Sequence, residues 1–375
     1  MSQEEKKYRI AYLCLQSTQE GHAPYAHVNE IINGLRRRGI QVDLFEPFIA
    51  DKERSRGLIG RLWGYLAVQL KLIPRLRRYD ALYMRSHTLA APTALAAKML
   101  RVPHVIEVNG PYGDLITMYP WTRPFGGIVK FISRRIRRDA DAIITVTPEM
   151  AAWCSRDCGN PRVHVIPNGA NTDIFRPAVR DPQAPAGPYA IFFGAFSPWQ
   201  GISTMLAAVH LPEWPAGVRL VLAGDGAERS KVEAAAAASD KILYIGTKGY
   251  RDLPGFVGPA SVGLCVKDDG GTHANTGWSP LKLYEMMAVG IPVIVTNLPG
   301  QFELVEAEQA GVVIGPGDPL ALAKAVAAII NDPVAAREMG KRGHEVVLRE
   351  HSWDRRAQDT LDILLSILKR ADADA

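Results

Sequence analysis

Strand-length apolar runs alternate along this chain with amphipathic segments of helical spacing. The first run, RIAYLCLQ, leads through the polar loop STQEGHAPY, which holds Gly21, into HVNEIINGLRRRG, a helix closed by Gly39. QVDLFEP follows as a second strand. The opening is therefore one βαβ unit, whose first loop lies at the ligand-binding edge of such a sheet. It is not a dinucleotide fingerprint, because GxGxxG is absent. The alternation continues through ALYMRS, a helix from about Ala91 to Leu100, HVIEVNGP, a helix through KFISRRIRRD, AIITVT, the helix PEMAAWCSRDCG and VHVIPNG. That order predicts a first alternating α/β sheet of about six strands.

From Asn168-Gly169 the pattern lapses, and RPAVRDPQAPAGP, with four prolines and no apolar period, reads as a linker. A second alternation then starts afresh: YAIFFGAF, the helix ISTMLAAVHL, VRLVLAGDG, the Ala-rich helix RSKVEAAAAAS, KILYIG, SVGLCV, a further helix and strand, GVVIG, and the helix PLALAKAVAAIIN. The expected fold class is α/β, with two Rossmann-like domains facing a central cleft, residues 1–172 and 173–350.

The stretch Gly277 to Gly300, GWSPLKLYEMMAVGIPVIVTNLPG, carries the most chemistry. Ser279 suits the N-cap, Pro280 the first helical position, and Gly290 the end. IPVIV after it has the β-branched run of a strand buried on both sides. A helix start offers free N–H groups and the positive end of a dipole to an anion, and Lys282 lies in the first turn. Glu285, one turn on, is placed to accept from sugar hydroxyls. A phosphate site and an ordinary solvated helix start both fit these residues.

At 375 residues the chain has room for two domains with apolar cores. Cys14, Cys154, Cys158 and Cys265 form neither a disulfide framework nor a metal-ligand pattern, and Cys154 and Cys158, one turn apart, read as small core residues. MSQEEKKYRIAYLCL runs from charge straight into a strand, the wrong order for a secretory signal, and no apolar run approaches the roughly 20 residues of a membrane span. A cytoplasmic location is expected. The net charge of +5 hides an asymmetry: residues 1–172 carry +10 and residues 173–375 carry −5. Arg54, Arg56, Arg61, Lys71, Arg75, Arg77 and Arg78 fall between Glu53 and Asp80 with no acid among them, interleaved with Leu58, Leu62, Trp63, Tyr65, Leu66, Leu70, Leu72 and Ile73. Residues 54–79 thus form a basic amphipathic segment, suited either to an anionic membrane surface or to a solvated face over a core helix. No nucleic-acid module accompanies the charge.

VIPNGANTDIFRP, FFGAFSPWQGISTMLAAV, LVLAGDGAER, YIGTKGYRDLP, SPLKLYEMMAVGIPVIVTN and HSWDRR, in this order, resemble the retaining glycosyltransferases of family GT4, which have the GT-B fold. GLRRRGIQVDLF, YMRS, HVIEVNGP and DAIITVT match more loosely. The resemblance implies an acceptor-binding first domain, a nucleotide-sugar-binding second domain, and a closing helix, residues 351–375, that packs back on the first. It gives Glu285 the place of the second glutamate of the EX7E motif, which grips the nucleotide ribose; the first glutamate falls at Gly277 and is missing. His273, Asn275 or Thr276 would then meet the donor sugar. The family's phosphate loop, bounded here by Gly194 and Gly201, has an arginine and a lysine where this chain has Ala195 and Gln200. Lys282 is left as the candidate cation for the diphosphate, with Gly21, Tyr250, Ser279 and Leu281 completing the donor set. Asn109 stands where many members have a histidine, and Asn171 where they have an aspartate. Arg85, Glu107 and Asn109 would face the cleft from the first domain, and Asn109, Lys282 and Glu285 would act in the chemistry.

The function implied is retaining transfer of a sugar from a UDP- or GDP-sugar to a glycan or lipid-linked acceptor, in polysaccharide or glycolipid synthesis. No cofactor is expected and no metal: Asp139-Ala140-Asp141 imitates a DxD motif but directly precedes a strand and reads as a turn. Two alternatives share the architecture, a non-hydrolysing nucleotide-sugar epimerase and a non-catalytic sugar- or nucleotide-binding protein, the latter consistent with Ala195, Gln200 and Gly277.

Overall fold

The computed structural model describes residues 7–16, 18, 20, 23–47, 57–269 and 271–373. The chain forms two compact units, one running to Ile166 and taking back the chain from Arg356, the other Pro167–Arg355.

The first unit holds a parallel sheet of β1 (Arg9–Leu13), β2 (Gln41–Phe45), β3 (Ala81–Arg85), β4 (His104–Val108), β5 (Ala142–Thr145) and β6 (Val163–Val165), in the order β2-β1-β3-β4-β5-β6. The central strands are buried along almost their whole length, as a sheet covered by helices on both faces demands. The strand order reverses at β1 and β3, and ligands of such sheets bind outside the carboxyl ends at that reversal. The second unit holds β7 (Tyr189–Ala195), β8 (Arg219–Asp225), β9 (Ile242–Tyr244), β10 (Val262–Cys265), β11 (Val293–Thr296) and β12 (Gly311–Ile314), ordered β12-β11-β10-β7-β8-β9, and reverses at β7 and β10. All twelve strand stretches read from the apolar runs are strands.

The proline-rich tract is not a free linker. Phe175 and Ala184 are buried in the core of the second unit, Asp181 donates its N–H to Gly255 O at 2.9 Å, and Ala170 exchanges backbone bonds of 2.9 Å with His351 and Trp353. The unit boundary accordingly falls at 166/167 and not at 172/173. Prolines remove donors and erase periodicity, but they leave the side chains free to pack. The closing helix, Trp353–Ala373, passes from the second unit to the first at Arg356. Within the first unit Ala357 presses on Gly34, where any added Cβ would lie 2.3 Å from the Ala357 Cβ, and Arg38 Nε donates to Gln358 Oε1 at 2.8 Å.

The basic segment forms a helix, Leu58–Leu72, and a 3-10 turn, Ile73–Arg78; Arg54 and Arg56 lie outside the described residues. Its outward face is apolar as well as charged: Ile59, Leu62, Trp63, Leu66 and Leu70 are exposed at helical spacing, beside exposed Arg61 and Lys71. The helices Leu58–Leu72 and Gly126–Asp139 both pack against Ala91–Met99, so the three share one side of the first sheet. Among the described residues no single helix is long and apolar enough to cross a membrane. The cysteines are free and buried. Asp139 pairs with Lys98 and Arg135, and Asp141 accepts from the His104 N–H, so DAD is a braced turn. No group of three metal-ligating side chains occurs among the described residues.

Candidate functional site

At the reversal of the second sheet, the chain leaving β7 and the chain leaving β10 run close together. Gly201, at φ +70°, admits no side chain there, since a Cβ would sit 2.9 Å from Val266 O. Gly194, at φ +123°, lies under the tip of Lys282, whose Nζ would be 3.3 Å from a Cβ at that position. Lys282 reaches down from the helix Leu281–Ala288, with Nζ 3.7 Å from the Phe192 ring centre, and donates to Gln200 Oε1 at 3.1 Å. A second lysine meets the same oxygen. Lys267, just past β10, donates to Gln200 Oε1 at 3.5 Å and lies 4.1 Å from the Trp278 ring centre.

Both ammonium groups are buried, Lys267 at 1% exposure and Lys282 at 9%, and among the described residues neither has a carboxylate within ion-pair distance. Asp268, next to Lys267, accepts instead from the Thr204 hydroxyl. Burial pushes Lys282 down to about 7, with Lys267 adding repulsion and Cys265 and Glu285 opposing. Burial lowers Lys267 as well. The positive end of the Leu281–Ala288 helix has the same sign as Lys282 and further disfavours its charge. The result is two desolvated ammonium groups held on one neutral amide oxygen, an arrangement whose charge an anion would balance.

Pro280, not Ser279, is the N-cap of that helix. The Ser279 hydroxyl is spent elsewhere: it accepts from the Asn168 N–H at 3.0 Å and lies 3.1 Å from Tyr284 OH. Gly277 stands at φ +73°, a left-handed backbone that glycine tolerates and glutamate resists. His273 is buried, bonds Gly277 O through Nδ1 at 3.1 Å, and stacks on Trp278 at 4.1 Å. Glu285 and Thr276 are buried, while Asn275 is exposed. Tyr250, half-buried, packs its ring on Phe175 at the edge of the core, 5.4 Å between centres. Gly194, Gln200, Gly201 and Lys282 are thus brought together, and Gly21 lies outside the described residues. Lys267 and Trp278 were not legible as neighbours of this cluster; the one signal was a lysine directly behind the apolar run GLCV.

In the first unit Arg85, Glu107 and Asn109 meet at the carboxyl ends of β3 and β4. Glu107, 1% exposed, takes His27 Nε2 at 2.8 Å, Arg85 Nη1 at 2.8 Å, Tyr83 OH at 2.7 Å, Tyr12 OH at 3.4 Å, and the Asn109 side-chain amide. Burial alone would raise its carboxyl, but His27, Arg85 and Tyr83 outweigh burial and hold it far below the usual range. The same carboxylate and burial raise Tyr12 and Tyr83 well above theirs. With its oxygens so engaged, Glu107 orients Arg85 and Asn109 rather than meeting a ligand. Arg85 Nε also donates to Gln16 Oε1 at 2.8 Å, beyond the end of β1. Asn171 accepts the Asp173 and Ile174 N–H groups and turns the chain.

Comparison with known proteins adds the following. The model of glycosyltransferase family 4 matches residues 26–174, and that of glycosyl transferases group 1 matches residues 179–346. Alpha-maltose-1-phosphate synthase of Mycolicibacterium smegmatis is 27% identical over 321 residues, 76% of this chain and 78% of the relative. Phosphatidyl-myo-inositol mannosyltransferase of Mycobacterium leprae is 24% identical over 364 residues, covering 92% and 93%. Sucrose-phosphate synthase from Thermosynechococcus elongatus superposes with a TM-score of 0.78 at 20% identity, over 97% of this chain and 100% of that one.

Proposed function

We propose, for a chain that belongs to the GT4-type glycosyltransferases and has their GT-B fold, retaining transfer of a sugar from a UDP- or GDP-sugar to a glycan or lipid-linked acceptor. The observation that carries this reading is the buried, uncompensated Lys282 ammonium at the reversal of the second sheet. The donor diphosphate would lie against Lys282 and Gln200 over Gly194 and Gly201, with Glu285 on the ribose and His273, Asn275 and Thr276 toward the sugar. As the bond between the anomeric carbon and the phosphate oxygen breaks, negative charge grows on the diphosphate, and Lys282 stabilises it in a water-poor setting. The new bond forms from the acceptor hydroxyl oxygen to the same carbon and face. The hydroxyl proton passes to the departing phosphate oxygen, so the protein's task is placement and charge stabilisation, without a resident metal. Asn109 and Arg85, held by Glu107, would address the acceptor.

The test is binding and turnover with nucleotide-sugars. UDP or GDP is expected to raise the melting temperature by mass action. Glu285→Ala is expected to lower kcat/KM about 10-fold or more, as one lost hydrogen bond to a charged acceptor does. Donor consumed without acceptor would favour the epimerase, and binding without turnover the binding protein. Unchanged transfer in Glu285→Ala would remove the ribose assignment.

A peripheral placement at the inner face of the cell membrane is part of the proposal. Its support is the outward face of the first unit, where Trp63 at 65% and Phe131 at 71% exposure stand with Ile59, Leu62, Leu66 and Ile128 among exposed arginines. Apolar side chains beside cations fit the boundary of an anionic bilayer. A cavity of about 310 Å³ lined by Arg9, Asp43, Lys71, Arg75, Arg78 and Tyr79 has the charge to take an anionic headgroup. The name of the M. leprae relative, a phosphatidyl-myo-inositol mannosyltransferase, is in keeping with a lipid acceptor. Co-sedimentation with vesicles containing phosphatidylglycerol, and not with pure phosphatidylcholine, is expected. Changing Arg75, Arg77 and Arg78 together to Ser should weaken it about 100-fold, at about 1 kcal/mol per basic residue. Co-sedimentation equal to wild type in that variant would sink the membrane reading.

A further inference from the structure

The stretch that follows β7, Ala195 to Gly201, contains no lysine or arginine. If Lys282 stood alone, the site would be one cation short for a diphosphate. Yet Gln200 is an amide for a structural reason: two ammonium groups already converge on its oxygen, from 67 and 82 residues away, and a third cation there would repel both. Lys267 is the deeper of the two at 1% exposure. Its partners are neutral, an amide oxygen at 3.5 Å and an aromatic face at 4.1 Å, and neither balances a desolvated charge. A second observation points the same way. The indole Nε1 of Trp278, the ring beneath Lys267, is buried with no hydrogen-bond acceptor among the described residues. Two lysines on one amide, and an idle N–H donor on the ring that Lys267 covers, leave acceptors missing, and a polyanion supplies them.

We propose that Lys267 is the second cation of the donor site, contacting the diphosphate beside Lys282 in place of the cations that Ala195 and Gln200 do not provide. The assignment rests on the nucleotide-sugar reading and deepens it. Lys267 arrives from the end of β10 and Lys282 from the start of a helix, so the anion is gripped from two elements on either side of Gln200.

The experiment uses the full chain with Lys267→Met and Lys267→Gln, titrated with UDP, GDP and ADP and with the matching nucleosides. For the nucleotide the wild type binds best, the Kd is expected to rise about 10- to 100-fold in both variants, the scale of one lost charge-assisted hydrogen bond. Nucleoside affinity should stay within about 3-fold, and the melting temperature without ligand should hold or rise, because a buried uncompensated charge has been removed. Lys267→Arg should recover part of the diphosphate affinity. Diphosphate binding equal to wild type in the Met and Gln variants overturns this assignment and leaves the donor reading standing. Equal losses for nucleoside and nucleotide, or failure of both variants to fold, also overturn it, since they make Lys267 a structural residue. A wild type that binds none of the three nucleotides overturns the donor reading, and this assignment with it.

Discussion

Replacing Lys282 by Met should lower kcat/KM for transfer by about 100-fold or more and, at the same time, raise the melting temperature of the ligand-free protein. The two effects share one cause. Lys282 is a cation held where water cannot solvate it, above the Phe192 ring and at the positive end of a helix, with a neutral amide as its acceptor. Burial pushes it from 10.5 down to about 7. Between those two values the unfolded chain binds the proton that the folded chain gives up, so wild-type stability rises with pH from about 7 toward 10.5. It is lost again as the pH falls through about 7. Methionine fills a similar volume without the charge and should show no such rise. The groups facing Lys282 are Cys265 on β10, Lys267 beyond it and Glu285 on its own helix; none of them reverses this sign. Donor affinity should run the opposite way, because a diphosphate binds the charged form: wild-type affinity falls above about pH 7, and the Met variant is flat. Calorimetry at several pH values reads both. A Met variant less stable than wild type, with wild-type transfer, would make Lys282 an ordinary buried lysine.

Glu107→Ala should cost about 3–5 kcal/mol of stability, the largest single loss expected in the first unit. The substitution leaves Arg85, His27, Tyr83 and Tyr12 facing a buried space from which their shared acceptor has gone. Glu107→Gln keeps the shape and one acceptor oxygen and should cost less. The carboxyl is held far below 4.5 when folded, so its contribution is complete above that value and fades as the pH falls below it. The gap between wild type and Glu107→Ala should therefore narrow between pH 5 and the acid limit, in urea melts at a series of pH values. A gap that stays constant across that range would show that packing, not charge, does the work. Transfer should suffer too, because Arg85 and Asn109 are both oriented by this carboxylate.

What local pattern carries, the sequence showed well. Strands buried on both faces are largely apolar, and so the central strands of each sheet stood out as runs. The helix with Lys282 and Glu285 was equally plain, because its turn chemistry and apolar spacing lie within a dozen residues. What depends on residues far apart was hidden. Ser279 has the chemistry of a cap, but its hydroxyl serves Asn168, 111 positions away, and Pro280 takes the cap. The proline tract has the composition of a linker, yet Phe175 finds a core in the second unit. Glu107 looked like a cleft residue until the fold surrounded it with five donors. The pair of buried lysines is the clearest case. Lys282 stood out in its own segment, but nothing local tied it to Lys267, and only the reversal of strand order at β7 and β10 makes Gln200, Lys267 and Lys282 neighbours. Local spacing governs which elements form, because hydrogen bonding and side-chain period act over a few residues. The burial that holds two lysines on one amide oxygen is a property of elements that meet after folding.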